Sequence, residues 1–260
     1  MAQSATPATK PIRLGSKCPN FDAETTQGNI NFYEQIEEVV EADTAGLDFT
    51  PVATTELITF TDLQAEFAKR GVKLFALSTN NTPKQRGGFE SHEKWVQDVD
   101  EFSGTPLKFP IITDVDGTIC RAFNLLEAAD AEAVKADDAV GEGLAFKSRT
   151  VFIIDDKKQF RLIFNYPAAV GINTAEVLRV VDCLKTAARA DVRTPANWVP
   201  GGDVVIPPKY SDAEAKKKFP GYTTLKPYLR VYRLPVEQTS VDVIEDIPEA
   251  AVQTFLAVEG

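Results

Sequence analysis

The sequence predicts an α/β fold with a smaller second domain, and three observations carry that expectation. Short apolar alternations of strand type recur through the first two thirds of the chain, segments with helical spacing separate them, and after Arg193 the texture turns Pro- and Gly-rich. At 260 residues, 43% hydrophobic and 25% charged, the chain can bury a full core in one large domain plus a smaller one.

Taken in order, Met1 to Lys10 is polar, lacks the apolar core of a secretory signal, and reads as a flexible lead-in. Thr54 to Arg70 has helical spacing, with Leu57, Phe60, Leu63 and Phe67 on one face. Val72 to Ser78 and Phe109 to Thr113 read as core strands of a mixed sheet. Thr150 to Asp155 and Gln159 to Tyr166 read as two strands joined by the polar turn Asp155-Asp156-Lys157-Lys158, a hairpin. Asn173 to Ala190 returns to helical spacing through Val177, Val180, Val181 and Leu184. The expected division is a lead-in (1–10), a main domain (11–190), a loop-rich domain (191–235) and an acidic extension (236–260), in which Ile247-Pro248-Glu249 opens a short helix.

Lys plus Arg total 28 against 38 Asp plus Glu, a formal charge of -10, which disfavours nucleic acid and anionic membrane surfaces. No apolar run approaches the roughly 20 residues of a membrane-spanning helix, so no membrane association is expected. Three cysteines, Cys18, Cys120 and Cys183, without a CxxC or a close pair, suggest neither a disulfide framework nor a zinc site. They read as inert core thiols in a reducing, cytoplasmic setting, with no metal and no cofactor implied. The single histidine, His92, excludes most histidine-based metal sites, and on a polar helix it reads as a surface residue. Lys216 to Lys218 read as a solvated helix face, and Asp114-Val-Asp-Gly-Thr118 as an acidic turn after a strand, with phosphatase chemistry disfavoured.

Asp48-Phe-Thr-Pro-Val-Ala-Thr-Thr-Glu-Leu57 resembles the peroxiredoxin signature DFTPVCTTEL at nine of ten positions, the exception being Ala53 in place of the attacking cysteine. The likeness continues through Leu14 to Phe21, Phe67 to Leu74, Lys108 to Ile112, Thr194 to Trp198 and Lys226 to Arg230, so that it spans roughly Pro11 to Pro235 and is similar to the one-cysteine subfamily. The resemblance implies a thioredoxin-like fold with a small C-terminal peroxiredoxin domain, and a homodimer. It matches Thr50, Glu56 and Arg149 to the family's site threonine, glutamate and first arginine. The family's second arginine is Ile172 here, and its histidine and proline ahead of the signature have no counterpart in Val39 to Asp48, where Thr44 stands near the lost histidine. The family's lipase-type serine segment has no counterpart around Glu37 to Asp43 either.

A thiol peroxidase needs a thiolate to attack the O–O bond, and Ala53 offers none. From these departures the sequence suggests that peroxidase activity is lost and that the pocket serves cofactor-free acid/base chemistry of lyase, isomerase, cyclase or hydrolase type on a small organic molecule. In that reading Asp43, Asp48 and Arg149 are catalytic, and Thr44, Thr50, Ala53, Glu56 and Ile172 bind substrate, in a closed pocket. The alternatives are a dimeric pseudoenzyme used as a scaffold and, more remotely, residual peroxidase through another cysteine. Glu41 and Asp43 are either half-buried on a strand or solvated in a loop.

Overall fold

The computed structural model describes residues 11–36, 39–46, 48–78, 89–125, 148–167 and 169–235. The lead-in (1–10) and the extension (236–260), with its expected helix, lie outside them.

Two compact units divide at Ile172/Asn173. The first holds β1 (Asp22–Ala23), β2 (Ile30–Asn31), α1 (Phe32–Gln35), β3 (Val39–Gly46), α2 (Pro51–Lys69), β4 (Lys73–Ser78), α3 (Phe89–Ser103), β5 (Ile111–Thr113), α4 (Thr118–Ala122), β6 (Ser148–Ile154) and β7 (Phe160–Pro167). Its five-stranded sheet runs β5-β4-β3-β6-β7. β3 is parallel to β4, and β4 to β5, while β6 is antiparallel to both β3 and β7. The sheet is therefore mixed, as the strand patterns require, and β6 and β7 form the expected hairpin. Asp155 closes its turn by accepting hydrogen bonds from the Lys157 and Gln159 amides on Oδ1.

β3 lies in the middle of this sheet with a partner on each side, Glu41 opposite Phe75 and Phe152 and Asp43 opposite Thr150. The solvated-loop alternative for this segment is excluded at the level of the backbone. The side chains of Glu41, Asp43 and Thr44 lie outside the described residues.

The core on one side is aromatic: Phe32, Phe75, Phe123, Phe152 and Phe160 are almost fully buried with Cys18 and Cys120. Phe123 meets Phe160 edge-on at 5.9 Å between ring centroids, the arrangement aromatic quadrupoles prefer. Helix α2 contributes Leu57, Phe60, Leu63 and Phe67, all buried as their spacing predicts. Each such side chain is worth about 1.5–3 kcal/mol in burial, so this face fixes the helix, and with it the helix start.

The second unit contains α5 (Thr174–Ala190), β8 (Val204–Val205), α6 (Asp212–Lys218), β9 (Thr223–Lys226) and β10 (Leu229–Tyr232), the strands ordered β8-β10-β9. The units part ahead of the composition change near 191 because Cys183, on α5, packs with Val192, Trp198, Val204, Ile206 and Phe219 in that unit's own core.

Candidate functional site

Residues 48–56 lead into and begin α2 and hold half of the candidates: Asp48, Thr50, Ala53 and Glu56. Thr50 is the N-cap residue, in extended conformation, and Pro51 occupies the first helical turn, where its missing N–H costs nothing and its fixed φ suits the helix. The Thr50 carbonyl accepts from the Thr54 amide at 2.9 Å and from the Thr54 hydroxyl at 2.8 Å. Ahead of it, Phe49 has φ 59, a left-handed conformation that non-glycine residues seldom adopt. A helix start with its N–H groups turned outward favours an anion or a developing negative charge.

Ala53 is 1% exposed, and Glu56, one turn on, is 2% exposed. Three residues apart, they share a helix face. Glu56 Oε1 accepts from Arg149 Nε at 2.8 Å and from the Ile172 amide at 2.9 Å. Arg149, brought in by β6, also donates through Nη2 to the Val170 carbonyl. Burial pushes the Glu56 carboxyl above its ordinary value, and the Ile172 amide and Arg149 only partly offset this. Glu56 Oε2 is buried with no hydrogen-bond partner among the described residues. Gly171 lies against this cluster: a Cβ there would stand in ordinary van der Waals contact, 3.7 Å from Val52 and 3.9 Å from Glu56 Oε1.

The structure thus gathers Ala53, Glu56, Arg149 and Ile172 around the first turns of α2, with Thr50 at the cap. Asp48 belongs to a different cluster: it is fully buried, its Oδ1 accepts from Ser78 Oγ at 2.7 Å, and its Oδ2 lies 2.6 Å from His92 Nδ1. His92 corrects the sequence reading most directly. Expected at the surface, it is 0% exposed on α3, because His92, Trp95 and Val99 form a buried stripe at i, i+3, i+7 among the described side chains of that helix. That stripe was readable in the sequence.

A cavity of about 780 Å³ sits elsewhere on this unit, between Thr61 and Asp62 of α2, Lys73 of β4, and Lys108 and Pro110, and none of the candidate residues lines it. Asp114 is buried, accepting from the Ile119 and Cys120 amides at 3.0 and 2.8 Å, which gives the acidic turn a structural task. All three cysteines are buried and none is in a disulfide. Burial pushes the Cys183 thiol up. Among the described residues no helix is long and apolar enough to cross a membrane.

The chain is similar to known proteins along most of its length. Residues 14–163 match the AhpC/TSA family, and residues 184–221 match the C-terminal domain of 1-Cys peroxiredoxin. The mitochondrial peroxiredoxin PRX1 of Saccharomyces cerevisiae is 45% identical over 226 residues, 84% of this chain and 80% of that protein. Peroxiredoxin-6 of Gallus gallus is 37% identical over 219 residues, covering 80% and 89%. Among solved structures, a yeast mitochondrial 1-Cys peroxiredoxin, described with a thiol resolving mechanism via glutathione/thioredoxin systems, superposes with a TM-score of 0.75 at 42% identity over 86% of this chain and 100% of that one. A cysteine-to-serine mutant of the peroxiredoxin 6 of Arenicola marina also gives 0.75, at 35% identity over 86% and 99%. The thioredoxin-like expectation holds. The functional expectation drawn from Ala53 does not: relatives this similar carry peroxiredoxin names, and none of them points to a recruited lyase or isomerase or to a pseudoenzyme scaffold.

Proposed function

Because the chain belongs to the AhpC/TSA family and carries the C-terminal domain of the 1-Cys peroxiredoxins, we propose that it acts as a thiol-dependent peroxidase on small hydroperoxides at the amino end of α2. The observation that carries this reading is the buried Arg149 held against the first turns of α2 by Glu56 at 2.8 Å. A fixed cation beside outward-facing helix amides is what a thiolate nucleophile and a departing alkoxide both require.

Sulfur chemistry then fixes the accounting of atoms. A thiolate attacks one peroxide oxygen, an S–O bond forms as the O–O bond breaks, and the departing alkoxide takes a proton to leave as an alcohol. A second thiol converts the sulfenic acid to a disulfide and releases water. Position 53 carries a methyl group, while Cys18 and Cys120 are held in the aromatic core of this unit and Cys183 in the core of the other. The reading therefore takes the attacking sulfur from a thiol co-substrate bound at the amino end of α2. It also takes over the homodimer implied by the sequence resemblance, in a reducing compartment, cytoplasmic or, as in the yeast relative's name, mitochondrial.

Peroxide consumption by the purified full chain with glutathione or dithiothreitol tests this. The expected result is a rate above that of the thiol alone, lost in Arg149→Met and raised by Ala53→Cys. A wild-type rate equal to the thiol alone, beside a fast Ala53→Cys variant, would overturn it.

A further inference from the structure

We propose that His92 is a positioning residue for this site, acting through Asp48. The inference rests on the amino end of α2 being the working site, but its test does not use peroxide consumption.

Asp48 and Thr50 flank Phe49, whose left-handed backbone persists only where its surroundings hold it. The described hydrogen bonds supply that hold from two elements. From the end of β4, Ser78 Oγ donates to Asp48 Oδ1. From α3, His92 Nδ1 reaches Asp48 Oδ2, and Trp95, on the same face of α3, donates through Nε1 to Thr54 Oγ1 at 2.9 Å. Thr54 in turn donates to the Thr50 carbonyl. Helix α3 thus grips the turn on both sides of Thr50, once through a carboxylate and once through a hydroxyl.

His92 Nδ1 stands 2.6 Å from Asp48 Oδ2, and the proposed role needs the tautomer whose Nδ1 donates. Its Nε2 is buried with no hydrogen-bond partner among the described residues. A buried polar atom left unsatisfied is a cost, so apolar bulk alone would have filled this place better than histidine does. What histidine supplies is the hydrogen bond to Asp48. Through it, the carboxylate fixes the turn that sets Thr50 and the first amides of α2.

Hydrogen exchange on the full chain separates this role from general packing. Asparagine places a side-chain N–H where Nδ1 stands, whereas leucine supplies bulk alone. His92→Leu is expected to speed exchange of the Thr54 amide by on the order of tenfold or more, with the Phe152 amide in the sheet unchanged. His92→Asn should restore protection to within about threefold of wild type. If the leucine variant fails to fold, His92→Gln, whose amide sits one bond too far out, takes its place with the same expectation. The proposal is overturned if Thr54 exchange stays within about twofold of wild type, if Thr54 and Phe152 accelerate together, or if asparagine fails to rescue. A failed peroxidase assay would leave all of these readouts intact.

Discussion

Removing the Glu56 carboxylate should expose how the site is held together. Glu56→Ala deletes the acceptor of both the Arg149 Nε and the Ile172 amide and leaves a guanidinium whose side chain is 8% exposed facing a vacated space. With both partners this buried, solvent screening calls for no discount, and breaking such a pair costs about 3–5 kcal/mol. Glu56→Gln keeps an acceptor at Oε1, and its amide nitrogen falls where Oε2 already lacks a partner among the described residues, but it removes the counter-charge of the guanidinium, so its cost is about 1.5–3 kcal/mol. The pH dependence has a definite sign. Folding raises the Glu56 pKa, chiefly by desolvation, so its contribution is full below the ordinary carboxylate value and declines as pH rises through the folded value. Glutamine does not titrate, so the deficit of Glu56→Gln should narrow as pH rises from the ordinary carboxylate range through the raised folded value. Urea unfolding followed by Trp95 fluorescence, in a Trp198→Phe background that silences the other unit, measures both. A Glu56→Ala cost under about 1.5 kcal/mol, or a glutamine variant as damaged as the alanine one, would refute the pairing as described.

Other consequences follow from single contacts. Ser211 caps α6 in a reciprocal capping box with Glu214, so Ser211→Ala should lower the stability of the second unit by about 1 kcal/mol in urea, visible through Trp198 and not Trp95. Asp114→Ala strands the Ile119 and Cys120 amides and should cost about 2–3 kcal/mol by the same titration read through Trp95. Glu66, Asp116 and Glu176 have lowered pKa values from their hydrogen bonds to Lys69, Thr118 and Arg179 respectively. Their contributions are present above the ordinary carboxylate range and lost as pH falls through the lowered values, a small effect for groups this exposed that added salt should shrink. Thermal melts between pH 5 and 2 at two salt concentrations check it.

Local pattern was enough for much of the fold. The face of α2 and the β6–β7 hairpin could be read because spacing and turn residues over a few positions decide them. β3 resisted, since Glu41 and Asp43 break the apolar alternation of a core strand, and what keeps them in strand is pairing with β4 and β6, distant in sequence. At the site, Arg149 beside Glu56 spans 93 positions and was reached only through family resemblance. No residue type signals a backbone donor such as the Ile172 amide. His92 was misread because a lone histidine among charged neighbours suggests solvent, whereas its register with Trp95 and Val99 placed it inward. Asp48 looked like an acid/base candidate for the same reason that it is buried: a carboxylate amid apolar residues needs partners, and the ones it found are structural.

Family membership and an alanine at position 53 together constrain the kinetics. In a peroxiredoxin with its own attacking cysteine, peroxide oxidises the protein and leaves as alcohol before the reducing thiol is needed, so the two substrates act in separate half-reactions and reciprocal plots are parallel. On the proposed reading, in which none of the three core cysteines reacts, peroxide and thiol occupy the site together before any bond breaks, because no protein sulfur stores the oxidising equivalent. Reciprocal plots should then intersect, and the burst of peroxide loss in the absence of thiol should be nil. Ala53→Cys should convert one regime to the other at the same position, with a burst of about one equivalent per chain. A thiol-free burst in the wild-type chain would instead place the nucleophile on Cys18, Cys120 or Cys183, and would require that core to open on the timescale of turnover.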